Sequence, residues 1–206
     1  SRAGKVYGAD PKETYAFRVI LDHLRAATFL IADGALPANK DQGYFTRRLI
    51  RRAVRFARDL GMHEQVCADV ARAYIRVYGE AYKSLKEKET RICEELEQEE
   101  QKFRTTLEEG IKEFTKMREG FAKQKEHTGV AVTEVSGKHA FKLYDTFGFP
   151  IELTQEVAKE HGLTVDMAGF DDAFAKHKDA SREASQQKFK GGLSDTSEMS
   201  VKYHTA

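Results

Sequence analysis

Apolar positions recur along this chain mostly at three- and four-residue spacing, the period of an amphipathic helix. From Pro11 to about Ala32 the stripe is Phe17, Ile20, Leu21, Leu24, Thr28 and Ile31. Asp10 stands where an N-cap belongs, Pro11 suits a first helical turn, and Gly34 marks the end. A loop follows from Ala35 to Gly43. Further helices are predicted from about Tyr44 to Asp59, from about Glu64 to Tyr78, and from about Glu80 to Lys125. In the last of these, Leu85, Ile92, Leu96, Phe103, Leu107, Ile111 and Phe114 step by sevens, fours and threes, as a coiled-coil seam does. Gly110 argues against one unbroken rod. The acids Glu94, Glu95, Glu97, Glu99 and Glu100 read as a solvated face.

The pattern changes after Lys125. Val130, Val132 and Val135 alternate with other residues and stop at Ser136-Gly137, a short strand, and Leu163-Thr164-Val165 is its candidate partner. Helices are predicted from about Lys138 to a break at Gly148 and Pro150, from Glu152 to His161, and from about Met167 to Lys188. Residues from Gly191 to Ser200 read as a linker. The expected fold is mainly α: a helical bundle with one long helix and a small two-stranded β element in the C-terminal half. The expected divisions are a helical subdomain at 1–78, a long helix with a small α/β hairpin at 79–190, and a linker at 191–206.

Composition narrows the function. The chain has 206 residues, 33% charged and 40% hydrophobic, which supports a packed core rather than disorder. Formal net charge is only +1, so any affinity for nucleic acid must come from how charge is distributed. Cys67 and Cys93 match no paired metal motif and read as lone helix thiols of a reducing compartment, the cytoplasm. No run approaches the roughly 18 apolar residues of a membrane span, and no signal-peptide pattern opens the chain. The abrupt start at Ser1 and the unfinished look of the end predict a piece of something longer. There is no glycine-rich phosphate loop and no nucleophile elbow, so no catalytic residue and no cofactor is expected in this piece. His23, His63, His127, His139, His161 and His177 are scattered. His204 has no second histidine after it at helical spacing, so no zinc site closes here.

The second helix carries the strongest charge signal. Arg47, Arg48, Arg51, Arg52, Arg55 and Arg58 lie within twelve residues. At helical rotation they fall in an arc of roughly 140°, opposite an apolar arc of roughly 160° made by Leu49, Ile50, Ala53, Val54, Phe56, Ala57 and Leu60. No acid is interleaved to relieve the repulsion. Such a face needs an anion from outside, and the guanidinium fork suits phosphate; it can also pair with the acidic long helix, or divide between the two. Asn39, just before this helix, is either a turn asparagine or an amide able to donate and accept at a base-pair edge in a shallow RNA groove. Asp145, before Gly148 and Pro150, is either a turn acid or an acceptor for an exocyclic amino group.

Three stretches together resemble alanyl-tRNA synthetases. They are Asp22-His23-Leu24-Arg25 through Phe29 to Gly34 with Pro37, Asn39 and Gly43-Tyr44; Arg47-Arg48-Leu49-Ile50-Arg51-Arg52-Ala53-Val54-Arg55; and Phe141 to Pro150 with Leu153-Thr154. The resemblance covers nearly the whole chain. It implies a class II enzyme that activates alanine with ATP and magnesium and esterifies it to tRNA-Ala. The stretch seen here would lie between the catalytic and editing domains and recognise the acceptor stem. It implies that the matches Asn39 and Asp145 read a G·U pair, that the arginine helix lies beside the stem, and that His204 is the first ligand of an editing-domain zinc. Many members insert a β-barrel before that histidine, whereas only Gly191 to Val201 is available here, which implies a shortened editing module. A helical protein-interaction or dimerisation scaffold, built on the long seam, is the alternative.

Overall fold

The computed structural model describes residues 3–193, with side chains described up to residue 180. Helix α1 (Pro11–Ala32) starts as its sequence requires: the Asp10 carboxylate accepts from the backbone N–H groups of Lys12 and Glu13 at 2.8 and 2.9 Å. Its buried stripe holds Ile20, Leu24, Thr28 and Ile31 as expected. It is rotated toward Ala16, Val19 and Ala27, however, and Leu21 is left 44% exposed. The basic helix α2 (Asp41–Asp59) begins three residues earlier than predicted, and its apolar arc packs along α1. Helix α3 (Cys67–Tyr78) follows.

The predicted long helix is two elements. A short α4 (Lys83–Glu87) is separated from α5 (Glu89–Thr128) at Lys88, whose ammonium group reaches back to the carbonyl of Ala32 at 2.5 Å. That contact satisfies the C-terminus of α1, which has no basic residue of its own in its last turn. Gly110 does not interrupt α5. It is the hollow into which the Phe149 ring packs, and any Cβ there would strike that ring. The seam is real, with Leu85, Ile92, Leu96, Phe103, Leu107 and Phe114 all buried. These buried positions face α3, α2 and α6 of the same chain, and Ile111 is half-buried. The acidic run is only partly a solvated face, because Glu99 and Glu100 are 2% and 0% exposed.

The β element is smaller than the alternating valines suggested and is not a hairpin. Strands β1 (Glu134–Val135) and β2 (Thr164–Val165) pair in parallel, Glu134 with Thr164 and Val135 with Val165. Two helices, α6 (Gly137–Phe147) and α7 (Ile151–Glu160), lie between them in sequence, as a parallel pair demands. Val130, 65% exposed, takes no part. Helix α8 (Met167–Leu193) packs on α6 and runs past Gly191 and Gly192, where a linker was expected. Gly137 and Gly169 allow that crossing, since a Cβ on Gly137 would meet the backbone of Gly169 and Phe170. His204 and the rest of the expected linker lie outside the described residues. One hydrophobic core runs from Ala16 to Phe170 through all of these helices. Among the described residues, no helix is long and apolar enough to cross a membrane.

Candidate nucleic-acid interface

Asn39 sits on the loop between α1 and α2, and local chemistry fixes that loop. The hydroxyl of Thr46 donates to the carbonyl of Ala35 at 2.9 Å, and Ala38 N–H donates to the carbonyl of Gly43 at 3.0 Å. Gly43 belongs to the first turn of α2, not to the loop. A side chain there would collide with the Leu36 carbonyl and the Ala38 methyl group. Asp41 has φ of 53°, the one positive value outside glycine among the described residues. A left-handed aspartate is tolerable because its short side chain suits that region. The Asn39 side chain is exposed, and its Oδ1 accepts from Nη1 of Arg47.

Asp145 lies in the last turn of α6. Gly148 in the left-handed region closes that helix, and its N–H donates to the carbonyl of Leu143, as does that of Phe149 at 3.0 Å. Phe149 then turns inward against Gly110 and Phe103, pinning the segment to α5. The Asp145 carboxylate is 45% exposed, with Oδ1 3.5 Å from Nε2 of His177 on α8.

These two residues, 106 positions apart, share one cleft of about 840 Å³. Asn39, Lys40, Asp41 and Tyr44 form one wall, and Tyr144 to Gly148 form the other. Lys102, Phe174, His177 and Lys178 complete the rim, and Arg47 and Arg51 lie at the base. The lining thus holds five lysines and arginines against Asp41 and Asp145. It carries a local positive excess in a chain whose net charge is only +1. Burial pulls Arg51 below the ordinary guanidinium value and the adjacent Glu99 opposes that shift; the group stays a cation throughout the working range. Burial, followed by the neighbouring Glu152 carboxylate, raises Tyr44, so its hydroxyl stays protonated and faces Glu152 Oε2 at 3.4 Å.

The six arginines expected to hold phosphate all have carboxylates within the chain. Arg47 and Arg51 meet Glu99 at 3.2 and 2.7 Å. Arg48 pairs with Glu152 at 2.5 Å, Arg52 with Glu156 at 2.6 and 3.0 Å, and Arg55 with Glu160 at 2.5 Å. Arg58 pairs with Glu108, whose carboxyl group is held below its usual range by that contact. The partner of the basic face is therefore α7 as much as α5. Glu152, Glu156 and Glu160, four residues apart on α7, form an acidic stripe that complements it. That stripe was legible as a period of four, but nothing in the sequence shows that α7 lies beside α2. The buried pair Glu99 and Glu100 was missed outright.

A family model for class II (A) tRNA synthetases matches residues 1–205. This chain belongs to that family. Among curated relatives, it is 41% identical over 206 residues to an alanine–tRNA ligase of Borrelia hermsii, covering 99% of this chain and 33% of the relative. It is 44% identical over 205 residues to that of Treponema pallidum, covering 98% and 33%. Against the alanine–tRNA ligase of Geobacillus thermodenitrificans it is 41% identical over 184 residues, 89% of this chain and 20% of the relative. The synthetase chain described here thus spans a third or less of the length of these relatives. Among the described residues of this family member, no three histidine, cysteine, aspartate or glutamate side chains group to hold a metal. Cys67 and Cys93 are both free and buried.

Proposed function

We propose that this chain is the tRNA-recognition part of an alanine–tRNA ligase, binding the acceptor stem of tRNA-Ala and reading a G·U pair in it. The observation that carries the reading is the shared cleft: Asn39 and Asp145 stand on its two walls, above a cationic base. In a G·U wobble the guanine amino group is not paired with the partner base and lies in the shallow minor groove. Asp145 supplies an acceptor for it, and the amide of Asn39 meets the neighbouring edge. Lys40, Lys102 and Lys178 at the rim face the flanking phosphates, and Arg47 and Arg51, held by Glu99 at the base, add positive charge beneath them. Arg48, Arg52, Arg55 and Arg58 act one step back, bracing α2 against α7 and α5 so that the cleft keeps its shape. The activation of alanine with ATP and magnesium, and the transfer to tRNA, belong to the rest of a parent chain acting in the cytoplasm, with which this region works as a clamp on the substrate. His204 lies outside the described residues.

The test is a titration of the chain with acceptor-stem hairpins carrying G·U or G·C, at one salt concentration. Asn39→Ala and Asp145→Ala should each reduce the preference for G·U by about 1–3 kcal/mol, while affinity for the G·C hairpin stays nearly unchanged. Equal loss of affinity for both hairpins would assign the two residues to the backbone and end the base-reading interpretation. A dimerisation scaffold, the competing reading, rested on the α5 seam, whose buried positions face the chain's own helices.

A further inference from the structure

Glu99 is where the two walls of the cleft are joined. Its carboxylate is 3% exposed and takes two guanidinium groups. Arg51 approaches through Nε and Nη2, each 2.7 Å from Oε1, and Arg47 places Nε 3.2 Å from the same oxygen. Each arginine then makes a second contact on a different wall. Nη1 of Arg47 donates to Oδ1 of Asn39. Nη1 of Arg51 donates to the carbonyl of Gly148, in the turn three residues after Asp145.

A guanidinium group is planar and rigid, so fixing one side of it dictates where Nη1 points; Arg51 is fixed by a hydrogen bond from Nε to Glu99, whereas Nε of Arg47 makes no hydrogen bond and is drawn to the same carboxylate by charge. One buried carboxylate therefore orients two forks, and the forks hold the two segments that carry the base-reading residues. The consequence for Asn39 is chemical as well as positional. An amide can present either its oxygen or its NH2 group to a ligand. With Oδ1 committed to Arg47, the NH2 donors are the free part. A donor fits the carbonyl oxygen that uracil shows in the minor groove and does not fit an amino group there. Two cations on one anion also leave a positive charge at the base of the cleft, close to where phosphate would lie.

We infer that Glu99 is a positioning residue for specificity: through Arg47 it sets the amide orientation of Asn39, and through Arg51 it sets the turn that carries Asp145. The inference rests on the reading that those two residues recognise a base pair, and its test separates the two. In nuclear magnetic resonance spectra of the 206-residue chain without RNA, Glu99→Gln shifts both the Asn39 side-chain amide signal and the backbone amides of Asp145 and Gly148. Arg47→Lys shifts only the Asn39 signal, and Arg51→Lys only those of the turn, because lysine has a single charged nitrogen and cannot bridge two acceptors as a fork does. These two variants carry the test if Glu99→Gln does not fold. An unmoved Asn39 signal in Arg47→Lys, or unmoved turn signals in Arg51→Lys, overturns the inference whatever RNA does. With the hairpins, Glu99→Gln lowers the preference for G·U over G·C by roughly tenfold. If Asn39→Ala and Asp145→Ala lose the preference and a folded Glu99→Gln keeps it, Glu99 is not the positioning group and the base-reading proposal stands. If the unmodified chain shows no preference, the base-reading proposal falls, and the spectra alone decide whether Glu99 sets the two walls.

Discussion

Glu100 is fully buried, and every contact of its carboxylate explains why. Helix α3 begins at Cys67 with Val66 in the cap position, a residue that can cap nothing. Its first N–H groups need an acceptor from elsewhere. Glu100 on α5 provides it, accepting from Val66 N–H at 3.1 Å and Cys67 N–H at 2.9 Å, while Arg104 donates to its other side at 2.8 and 2.9 Å. Glu100→Ala strands two backbone donors and a guanidinium group, so we expect a loss of about 3–5 kcal/mol in urea unfolding. Exposed Glu94, in the same acidic run, should cost no more than about 0.5 kcal/mol when changed to alanine. Comparable losses for the two would rule out the capping role. His23 gives the residue scale its pH dependence. Its ring is held below the ordinary value of 6.5, first by burial and then by Arg52, which donates toward Nε2 at 3.0 Å. The folded state therefore prefers the neutral ring. That contribution is fully present above pH 6.5 and is lost as pH falls through 6.5 toward the lower folded value. Thermal stability should drop as pH falls below about 6.5, and His23→Gln should remove part of that drop; an unchanged profile in the variant would show that another group titrates.

At the scale of elements, glycine shows how far a pattern can be read. Gly110 and Gly120 both lie inside α5 and look alike in sequence, each a weak point in a helix. In the fold they differ: Phe149 fills the space over Gly110, and nothing lies within 4 Å of a Cβ placed on Gly120. Gly120→Ala should stabilise the protein by about 0.5–1 kcal/mol through helix propensity. Gly110→Ala should instead destabilise it by about 1–3 kcal/mol, because the buried ring of Phe149 must move, and the turn carrying Asp145 moves with it. Denaturant melts of the pair decide this, and stabilisation by both changes would mean that the ring has room. Helices α1, α2 and α5 were legible because their apolar stripes span many turns. The break at Lys88 was not, since the carbonyl that its side chain reaches there, at the end of α1, is distant in sequence. Nor was the parallel sense of β1 and β2, since a period of two marks a strand without naming the direction of its partner.

For the molecule as a whole, the question is which cations remain available to RNA. The sequence displayed six arginines on one face and left open whether phosphate or acids would meet them. Their spacing could not decide, because the answer depends on where α7 and α5 pack. Asn39 and Asp145 carried even less signal on their own; only the resemblance to a family made them candidates, and only the fold places them at one cleft. The charge distribution now supports a sharp expectation. Arg52 and Arg55 already face Glu156 and Glu160, with Arg52 29% and Arg55 9% exposed. To reach phosphate they would have to abandon carboxylates and leave those acids beside a polyanion, which opposes binding. Lys40, Lys102 and Lys178 line the cleft and are exposed. A cation that contacts phosphate contributes about one unit to the slope of log affinity against log salt, since its binding releases condensed counterions. Alanine at Lys40, Lys102 or Lys178 should therefore flatten the slope by roughly one contact each, with little change in stability. Alanine at Arg52 or Arg55 should leave the slope unchanged and lower the unfolding midpoint, because each removes the shortest ion pair of a glutamate of α7. The measurement is the acceptor-stem titration repeated at several salt concentrations, with a thermal melt of each variant. A flatter slope for Arg52→Ala would mean that the pairs between α2 and α7 open when RNA binds and do not brace the cleft.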